Sequence, residues 1–403
     1  MNLKYHLVAW TGLVIGIAVG TGSRLSAQVP RTAEVKTTAA EPQKRDAKSD
    51  AETKAKSDKQ DREESKAYKA MVDRGVEFLR VQGQADDGSF SAAVGVGPTA
   101  LVANALLSVG VSVDDPMVAK SLAYLIANVR EDGGIYLDGS RHQNYDSCLA
   151  MVALAKANKG GKYETAIKKC EAFVKGQQWD DGEGKDPSDP YFGGAGYGSK
   201  ARPDLSNTSF MIDALHDLGR GAEDEAIQRA LTFVTRCQNL ESPANTTPAA
   251  TKVNDGGFFY TTANGGESMA GTQPDGGLRS YGSMTYAGLK SMIFAGVAKD
   301  DPRVKAALSY LRKHYTVDSN PGIGQSGHFY YLHTMSKALN AIDEPEFEDV
   351  QGRSHDWDAD IRRKLQSMQQ PNGSWVNADT RWLEGDPNLV TGYALLTLAN
   401  CQP

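Results

Sequence analysis

Aromatic side chains concentrate where glycine-rich loops of the sequence run into apolar segments. The approach NDGGFFYTTANGGESMAGTQPDGGLRS, for example, leads into YGSMTYAGLKSMIF, residues 281–294. Aromatic faces can stabilise a carbocation, stack on a sugar or hold a peptide side chain. The candidate ligand-binding residues at these junctions are Tyr281, Tyr286, His328, Tyr330, Tyr331 and Trp382.

The same junctions carry side chains that could transfer a proton, and the candidate catalytic residues are Asp146, Asp275 and His333. Two carboxylates that face each other across a groove could also act as acid and base on a glycosidic bond, with an aromatic ring as the platform for the sugar. The carboxylates available for such a pair are Asp146, Asp275, Glu384 and Asp386.

The four cysteines lie far apart, at positions 148, 170, 237 and 401. No two of them have the Cys-x-x-Cys spacing of a zinc ribbon or a dithiol redox site. Each lies in or beside an apolar helical pattern, so we expect buried thiols. We predict no metal site and no cofactor.

Six segments that are apolar on almost every face follow the glycine-rich loops, which predicts helices surrounded by protein. These inner segments begin near Thr99, Asp146, Asn207, Tyr281, Tyr330 and Val390. Ahead of each lies a segment whose apolar residues recur at spacings of three and four, as at positions 118, 122, 125 and 129. Such a one-sided stripe predicts a helix on the outside of a layer.

Most units place a glutamine and an Asp-Gly or Asn-Gly turn between the outer and the inner segment. Examples are Gln84 before DDGSF, Gln178 before WDDG and Gln370 before PNGSW. Asp or Asn supplies local hydrogen bonds and glycine supplies positive φ, so the chain can reverse and form a helical hairpin. The last inner segment is as apolar as the middle ones, which favours a closed ring because an open stack would need polar terminal units. Six hairpins in a ring predict an all-α fold, an (α/α)6 toroid of two concentric layers.

In such a ring the six inner helices would begin at the same mouth. The first N–H groups of a helix have no partner within it, and the helix dipole places partial positive charge there. The sequence therefore predicts that this mouth favours an anionic or carbonyl-rich ligand.

The N-terminal residues 1–27 combine Lys4, the apolar run LVAWTGLVIGIAVG and small residues at the exit, which is typical of a secretory signal peptide. We expect export to the periplasm or the extracellular space, or tethering to the membrane if the segment is not cleaved. Residues 28–65 have too few large apolar side chains to offset the entropy of ordering, which predicts a disordered charged linker. The toroid domain would then occupy residues 66–403. The net charge of −6 does not suggest a nucleic-acid partner.

The helical hairpins resemble the repeats of the squalene cyclase and protein prenyltransferase superfamily, also known as prenyltransferase and squalene-oxidase repeat proteins. The so-called QW motif of that superfamily is nearly intact at residues 369–375, QQPNGSW, and the resemblance covers roughly Ala67 to Cys401. It implies the toroid of the terpenoid cyclases and a central cavity for an isoprenoid or another apolar ligand.

Two chemical motifs of that superfamily depart from its pattern here. The Asp-x-Asp-Asp acid run of class II cyclases is absent, and the nearest run, residues 356–360, opens an outer segment where carboxylates favour the helix dipole. The Asp-x-Cys zinc pair of protein prenyltransferases occurs at Asp146 and Cys148, three units before the segment around His333 that resembles the one carrying the family's zinc-binding histidine. The resemblance therefore implies a ligand cavity without an intact motif for either reaction.

Three functions fit these observations. The first is an exported cyclase- or prenyltransferase-like toroid that binds an isoprenoid or another apolar ligand in a deep cavity. The second is an (α/α)6 carbohydrate-active enzyme, which needs two carboxylates about 5 to 10 Å apart. The third is a non-catalytic scaffold that binds an envelope protein through the loops at the mouth.

Overall fold

A computed structural model describes the backbone of residues 47–402 and the side chains of residues 62–402. The predicted signal peptide and the linker up to residue 46 lie outside the described residues. The chain divides into two compact units, Met1–Lys54 and Ala55–Pro403, and the packing described below lies within the second. Among the described residues, no helix is both long and apolar enough to cross a membrane.

Thirteen α-helices and one short hairpin form the described part of the chain, which confirms the predicted helical fold. The hairpin pairs strand β1, Phe347–Glu348, with strand β2, Ser354–His355, in antiparallel register. The helices are α1 Ala47–Phe78, α2 Gly97–Ser108, α3 Pro116–Ala127, α4 Gln143–Lys156, α5 Glu164–Gly176, α6 Leu205–Asp217, α7 Glu225–Arg236, α8 Pro248–Val253, α9 Gly282–Phe294, α10 Pro302–Lys313, α11 His328–Ile342, α12 Trp357–Met368 and α13 Pro387–Asn400.

The six predicted inner segments are helices buried on almost every face: α2, α4, α6, α9, α11 and α13. In α9, every residue from Gly282 to Met292 is buried. In chain order each inner helix packs against the next one, and α13 packs against α2. The contacts of the inner helices therefore form a closed cycle.

Amphipathic helices cover this cycle, and α3, α5, α7 and α12 each pack on the two inner helices that are their neighbours in sequence. Helix α3, for example, contacts α2 and α4, while α5 contacts α4 and α6. Asp115, Asp224 and Asp301 cap the N-termini of α3, α7 and α10 by accepting N–H bonds from the first turn. These caps fix where the outer helices begin.

A glutamine near the end of an outer helix links neighbouring hairpins. The Nε2 group of Gln84 donates to the glycine carbonyl of its own turn and, at 2.8 Å, to the carbonyl of Met117 in the next outer helix. Gln369 donates in the same way to its own turn and, at 2.9 Å, to the carbonyl of Met71 in α1. The last hairpin is therefore hydrogen-bonded to the first.

Two turns differ in detail from the sequence prediction. In the last hairpin the linking side chain is that of Gln369, whereas the side chain of the predicted Gln370 is exposed and donates to the nearby carbonyl of Met368. In the third hairpin Gln178 bonds to the carbonyl of Gly193 and not to the WDDG turn that follows it. Residues 181–192 form an insertion before the equivalent turn, and a local motif cannot reveal such an insertion.

The predicted disordered linker is partly helical. Helix α1 begins at Ala47, so residues 47–65 continue into the first outer helix. Ala, Lys and Glu are frequent in this stretch, and they have high intrinsic helix propensity.

Candidate functional site

A cavity of about 340 Å³ lies at the N-terminal ends of the inner helices. Its volume falls within the range of about 300–1,000 Å³ that is usual for small-molecule sites. All six inner helices contribute to it from their first two turns: Pro98, Tyr145, Ser206, Met284, Tyr330 and Leu389. We name this cavity the aromatic chamber because eight of its nineteen lining residues are tyrosine, phenylalanine or tryptophan: Tyr145, Tyr197, Phe210, Tyr260, Tyr281, Tyr330, Trp382 and Tyr393.

Three of the six tyrosine hydroxyls in the aromatic chamber pair with one another or with serine. The hydroxyl oxygens of Tyr145 and Tyr393 lie 2.9 Å apart, and those of Tyr330 and Ser206 lie 3.1 Å apart. The ring of Phe210 meets the ring of Tyr145 edge-on, with centroids 4.9 Å apart. Because these hydroxyls have partners, the rings present mainly their apolar, electron-rich faces to the chamber.

Asp146 places a carboxyl group among the aromatic side chains of the chamber. It lines the chamber from the first turn of α4 and is only 2% exposed. Its Oδ1 accepts the backbone N–H of Gly97 at 2.9 Å, and its Oδ2 accepts the hydroxyl of Ser140 at 3.2 Å. Burial raises the pKa of Asp146 to about 6, although both hydrogen bonds favour the charged form. A carboxyl with such a pKa can hold a proton near neutral pH and donate it to a ligand.

Glu384 is the second carboxyl of the aromatic chamber. It accepts the backbone N–H groups of Phe329 and Tyr330 at 3.3 and 2.8 Å, and the side-chain amide of Asn377 at 2.7 Å. Burial raises the pKa of Glu384 above its ordinary value. Of the four carboxylates considered for a glycosidic acid–base pair, Asp146 and Glu384 therefore share one cavity.

The carboxyl groups of the chamber correct one expectation from the sequence. We expected the helix N-termini at this mouth to favour an anionic ligand. At α2 and α11, however, the first N–H groups already bind Asp146 and Glu384. The carboxyl groups of Asp146 and Glu384 already occupy the positive ends of these two helices. A ligand that binds there therefore need not be anionic.

A short turn of left-handed backbone closes one side of the aromatic chamber. Trp382 and Leu383 have φ values of +54° and +67°, a conformation that costs non-glycine residues about 1–3 kcal/mol. Both side chains line the chamber, yet they are 41% and 45% exposed. The guanidinium of Arg381 covers the Trp382 ring at 4.4 Å. This strained turn therefore places apolar side chains between the chamber and solvent.

The structure separates the predicted ligand-binding residues into two groups. Tyr281, Tyr330 and Trp382 line the aromatic chamber, together with the predicted catalytic residue Asp146. The other three pack towards the loop before α11. Tyr331 donates its hydroxyl to the carbonyl of Thr316, and His328 Nε2 bonds with the carbonyl of Val317.

The third residue of that group, Tyr286, is buried with its ring 5.7 Å from the ring of Tyr331. Consecutive residues of a helix point about 100° apart, and Tyr331 bonds to the loop before α11 while Tyr330 lines the chamber. Asp275 is exposed, and its Oδ1 accepts the N–H of Gly277 within a turn. Its observed contact is that of a turn residue.

The predicted catalytic residue His333 lines a second cavity, which lies towards the C-terminal ends of the inner helices and has a volume of about 270 Å³. We name it the polar chamber because it is lined by charged side chains: Lys156, Asp213, Asp217 and Lys337. Phe210 lines both chambers. Its ring therefore lies at the boundary between an aromatic and a polar part of the interior.

The Asp-x-Cys pair is divided between the two chambers. Asp146 lines the aromatic chamber, whereas Cys148 lines the polar one. Burial raises the pKa of the Cys148 thiol well above its usual range, and the thiol lies 3.5 Å from Asn144 Oδ1. All four cysteines are buried free thiols. Within residues 62–402, no three metal-ligating side chains are grouped so that they could hold a metal.

Sequence reasoning missed Phe210 and the charged side chains of the polar chamber. Asp213 and Lys290 are isolated charges within the apolar segments of α6 and α9. A lone charge at a position that must be buried could have indicated a functional cluster. The identity of its partners could not be read, because they lie on different helices.

No family model matches the sequence, and no curated protein matches it. Solved structures of the type II terpene cyclase MstE from Scytonema resemble the fold and cover 84% of this chain. The apo enzyme matches over 99% of its own chain with a TM-score of 0.53 and 14% identity. A variant in complex with its substrate, geranylgeranyl dihydroxybenzoate, matches over 99% with a TM-score of 0.52 and 12% identity. The chain thus has a helical fold like that of a type II terpene cyclase.

Proposed function

We propose that this chain is an (α/α)6 toroid that binds an isoprenoid or a similarly apolar ligand in the aromatic chamber. The observation that carries the proposal is the chamber itself, a cavity of about 340 Å³ in which eight aromatic residues take part in the lining. The closed cycle of contacts among the six inner helices supports the toroid. The hydrogen bond from Gln369 to Met71 supports it as well.

The chemistry of the chamber suits an apolar chain. Each CH₂ group that leaves water contributes about 0.8 kcal/mol, so a ligand of many carbons can bind without strong polar contacts. The aromatic faces add favourable contacts with double bonds and with positive charge. The MstE structures contain geranylgeranyl dihydroxybenzoate as substrate and, in another variant, merosterolic acid A as product. A similar fold therefore accommodates a ligand with a geranylgeranyl chain.

Mass spectrometry of lipids extracted from the purified protein tests this proposal. We expect an isoprenoid in extracts of the wild-type protein and its loss from Met284→Trp, since the larger side chain would fill the chamber that Met284 lines. Val81→Trp is the matched control, because Val81 is 67% exposed at the end of the first outer helix. A wild-type protein that also fails to bind added geranylgeraniol would favour the envelope-protein scaffold instead.

Asp146 favours a second candidate function, a cyclisation that begins with proton transfer. A protonated Asp146 would break its O–H bond as a C–H bond forms on a double bond of the ligand, which leaves a carboxylate and a carbocation. The surrounding aromatic faces would stabilise the carbocation. Loss of a proton from the final cation would return the carboxyl to its starting state.

Incubation with geranylgeraniol tests the reaction separately from binding. We expect an isomeric product of unchanged mass from the wild-type protein. Asp146→Asn should still bind the ligand but form the product at least about 100-fold more slowly, as is typical when a general acid is removed. Equal rates for the two proteins would show that Asp146 is not the proton donor.

We also propose that the protein is exported, on the strength of the signal-like pattern in residues 1–27. N-terminal sequencing of the protein from an envelope fraction tests this. Export with cleavage predicts a mature chain that begins near Gln28, whereas a membrane tether predicts an intact N-terminus in the membrane fraction. Recovery of the chain only from the cytosol would contradict export.

A further inference from the structure

The polar chamber contains a buried ionic cluster built from three inner helices. The Oδ2 atom of Asp213 in α6 lies 2.6 Å from the Nζ atom of Lys290 in α9 and 3.1 Å from the Nζ atom of Lys337 in α11. The side chains of Asp213 and Lys290 are 7% and 5% exposed. Burial alone would raise the pKa of Asp213, but the charges of the two lysines outweigh burial and lower it. Asp213 is therefore ionised at neutral pH.

Two polar atoms of the chamber have no protein partner. Among the described residues, neither Asp213 Oδ1 nor His333 Nδ1 has a hydrogen-bond partner. Both residues line the chamber, and both are buried. Burial, reinforced by the nearby lysine charges, lowers the pKa of His333 to about 3, so its ring is neutral. Buried polar atoms destabilise a fold unless they are hydrogen-bonded, which indicates that another molecule completes these contacts.

The chamber also has an excess of positive charge. Lys156 and Lys337 balance Asp213 and Asp217 in the lining. The buried Lys290 contacts Asp213 but does not line the chamber, and it brings the net charge of these five side chains to +1. Lys156 lies at the exposed rim, where its Nζ bonds with the hydroxyl of Ser108 at 2.5 Å. A small anion would enter the chamber with favourable electrostatics.

We propose that the polar chamber is a second ligand site, for a small anion that also carries a hydroxyl group. The hydroxyl would donate to Asp213 Oδ1 and pair with Nδ1 of His333, which satisfies both open positions. The anionic group would face Lys337 and Lys156. A cavity of about 270 Å³ admits a molecule of a few carbon atoms, and the Phe210 ring lies between this site and the aromatic chamber.

Calorimetric titration with lactate, propionate and propane-1,2-diol tests the two halves of the proposal. Lactate carries both groups, propionate lacks the hydroxyl and the diol lacks the charge. We expect lactate to bind at least 10-fold more tightly than either of the others, because each of them leaves one set of buried groups unpaired. Equal affinities, or no binding by any of the three, would mean that only water completes the chamber and would overturn the proposal.

Variants locate the binding in the chamber. His333→Phe should abolish lactate binding without lowering the thermal unfolding midpoint, since it removes a buried atom that has no partner. Lys156→Gln should weaken lactate binding about 3- to 10-fold and reduce its salt dependence. Lys159→Gln, at an exposed position in the loop after α4, is the control. It should change neither the affinity for lactate nor the salt dependence of binding. Unchanged lactate binding by His333→Phe would place the bound anion elsewhere.

Discussion

At the scale of single residues, burial and hydrogen bonding have opposite effects on the pKa of a carboxyl group in the aromatic chamber. Asp146 accepts two hydrogen bonds, yet burial prevails and its pKa rises to about 6. Asp204 at the start of α6 shows the same balance, since burial raises its pKa to about 6 although Asn207 donates two hydrogen bonds to it. These carboxyls exchange protons within the physiological range of pH.

The pKa of Asp146 predicts how stability depends on pH. The folded protein holds the Asp146 proton more tightly than the unfolded chain does, so the contribution of this carboxyl to stability falls as the pH rises from about 4 to about 7. A rise from 3.8 to about 6 corresponds to about 3 kcal/mol. We expect Asp146→Asn to have the same free energy of unfolding as the wild type at pH 4. At pH 7.5 its free energy of unfolding should be higher by up to about 3 kcal/mol, as measured by urea unfolding.

Asp138→Asn is the control for this experiment because the Asp138 side chain is 93% exposed. For this variant, the difference in the free energy of unfolding between pH 4 and pH 7.5 should be the same as for the wild type. Asp146→Asn should retain part of the wild-type pH dependence, since Asp204 and Glu384 also have raised pKa values. A variant that is less stable than the wild type by the same amount at both pH values would contradict the argument.

Only some site residues could be predicted from their types. Tyr281, Tyr330 and Trp382 occur at helix starts and do line the aromatic chamber. Tyr331 occurs at the same helix start but points away from the chamber. The phase of a helix buried on every face cannot be read from its hydrophobic pattern, because there is no polar side to orient it.

At the scale of secondary structure, the hairpin repeat is held together by its turns. In four of the six hairpins a glutamine bonds to the next outer helix, and the turn glycine lies against that helix. Gly373, with a φ of +93°, packs so closely on the carbonyl of Arg74 that a Cβ atom would clash with it. The last turn thereby contacts the first helix.

The link between the last and first hairpins can be tested with two adjacent glutamines. Gln369→Ala removes hydrogen bonds to Met71 and Gly373, each worth about 0.5–1.5 kcal/mol. We expect it to lower the free energy of unfolding by about 1–3 kcal/mol in urea titrations. Gln370→Ala changes an exposed side chain and should cost less than about 0.5 kcal/mol. Equal effects of the two changes would argue against the role of Gln369.

The alternation of inner and outer helices was predictable because two different periodic patterns repeat six times. The irregular parts were not. Helix α8, the β1–β2 hairpin and the left-handed turn at Trp382 interrupt the repeat without a periodic signal. Their conformations depend on contacts with distant residues, such as the 4.4 Å contact between Arg381 and the Trp382 ring, and not on local propensity.

At the scale of the whole molecule, the inner helices present different chemistry at their two ends. The N-terminal turns of all six line the aromatic chamber, whereas the middle and C-terminal turns of all but α9 line the polar one. Phe210 contributes to both. A single layer of helices thus contains an aromatic cavity with buried carboxyl groups and a separate charged cavity. The central claim is that the first of these holds an isoprenoid.

A crystal structure of the protein grown with geranylgeraniol tests this claim most directly. We expect electron density for the isoprenoid chain within the aromatic chamber, against the rings of Tyr281, Tyr330 and Trp382, and its loss in Met284→Trp. An empty chamber at saturating ligand, or density for the chain only on the outer surface, would contradict it.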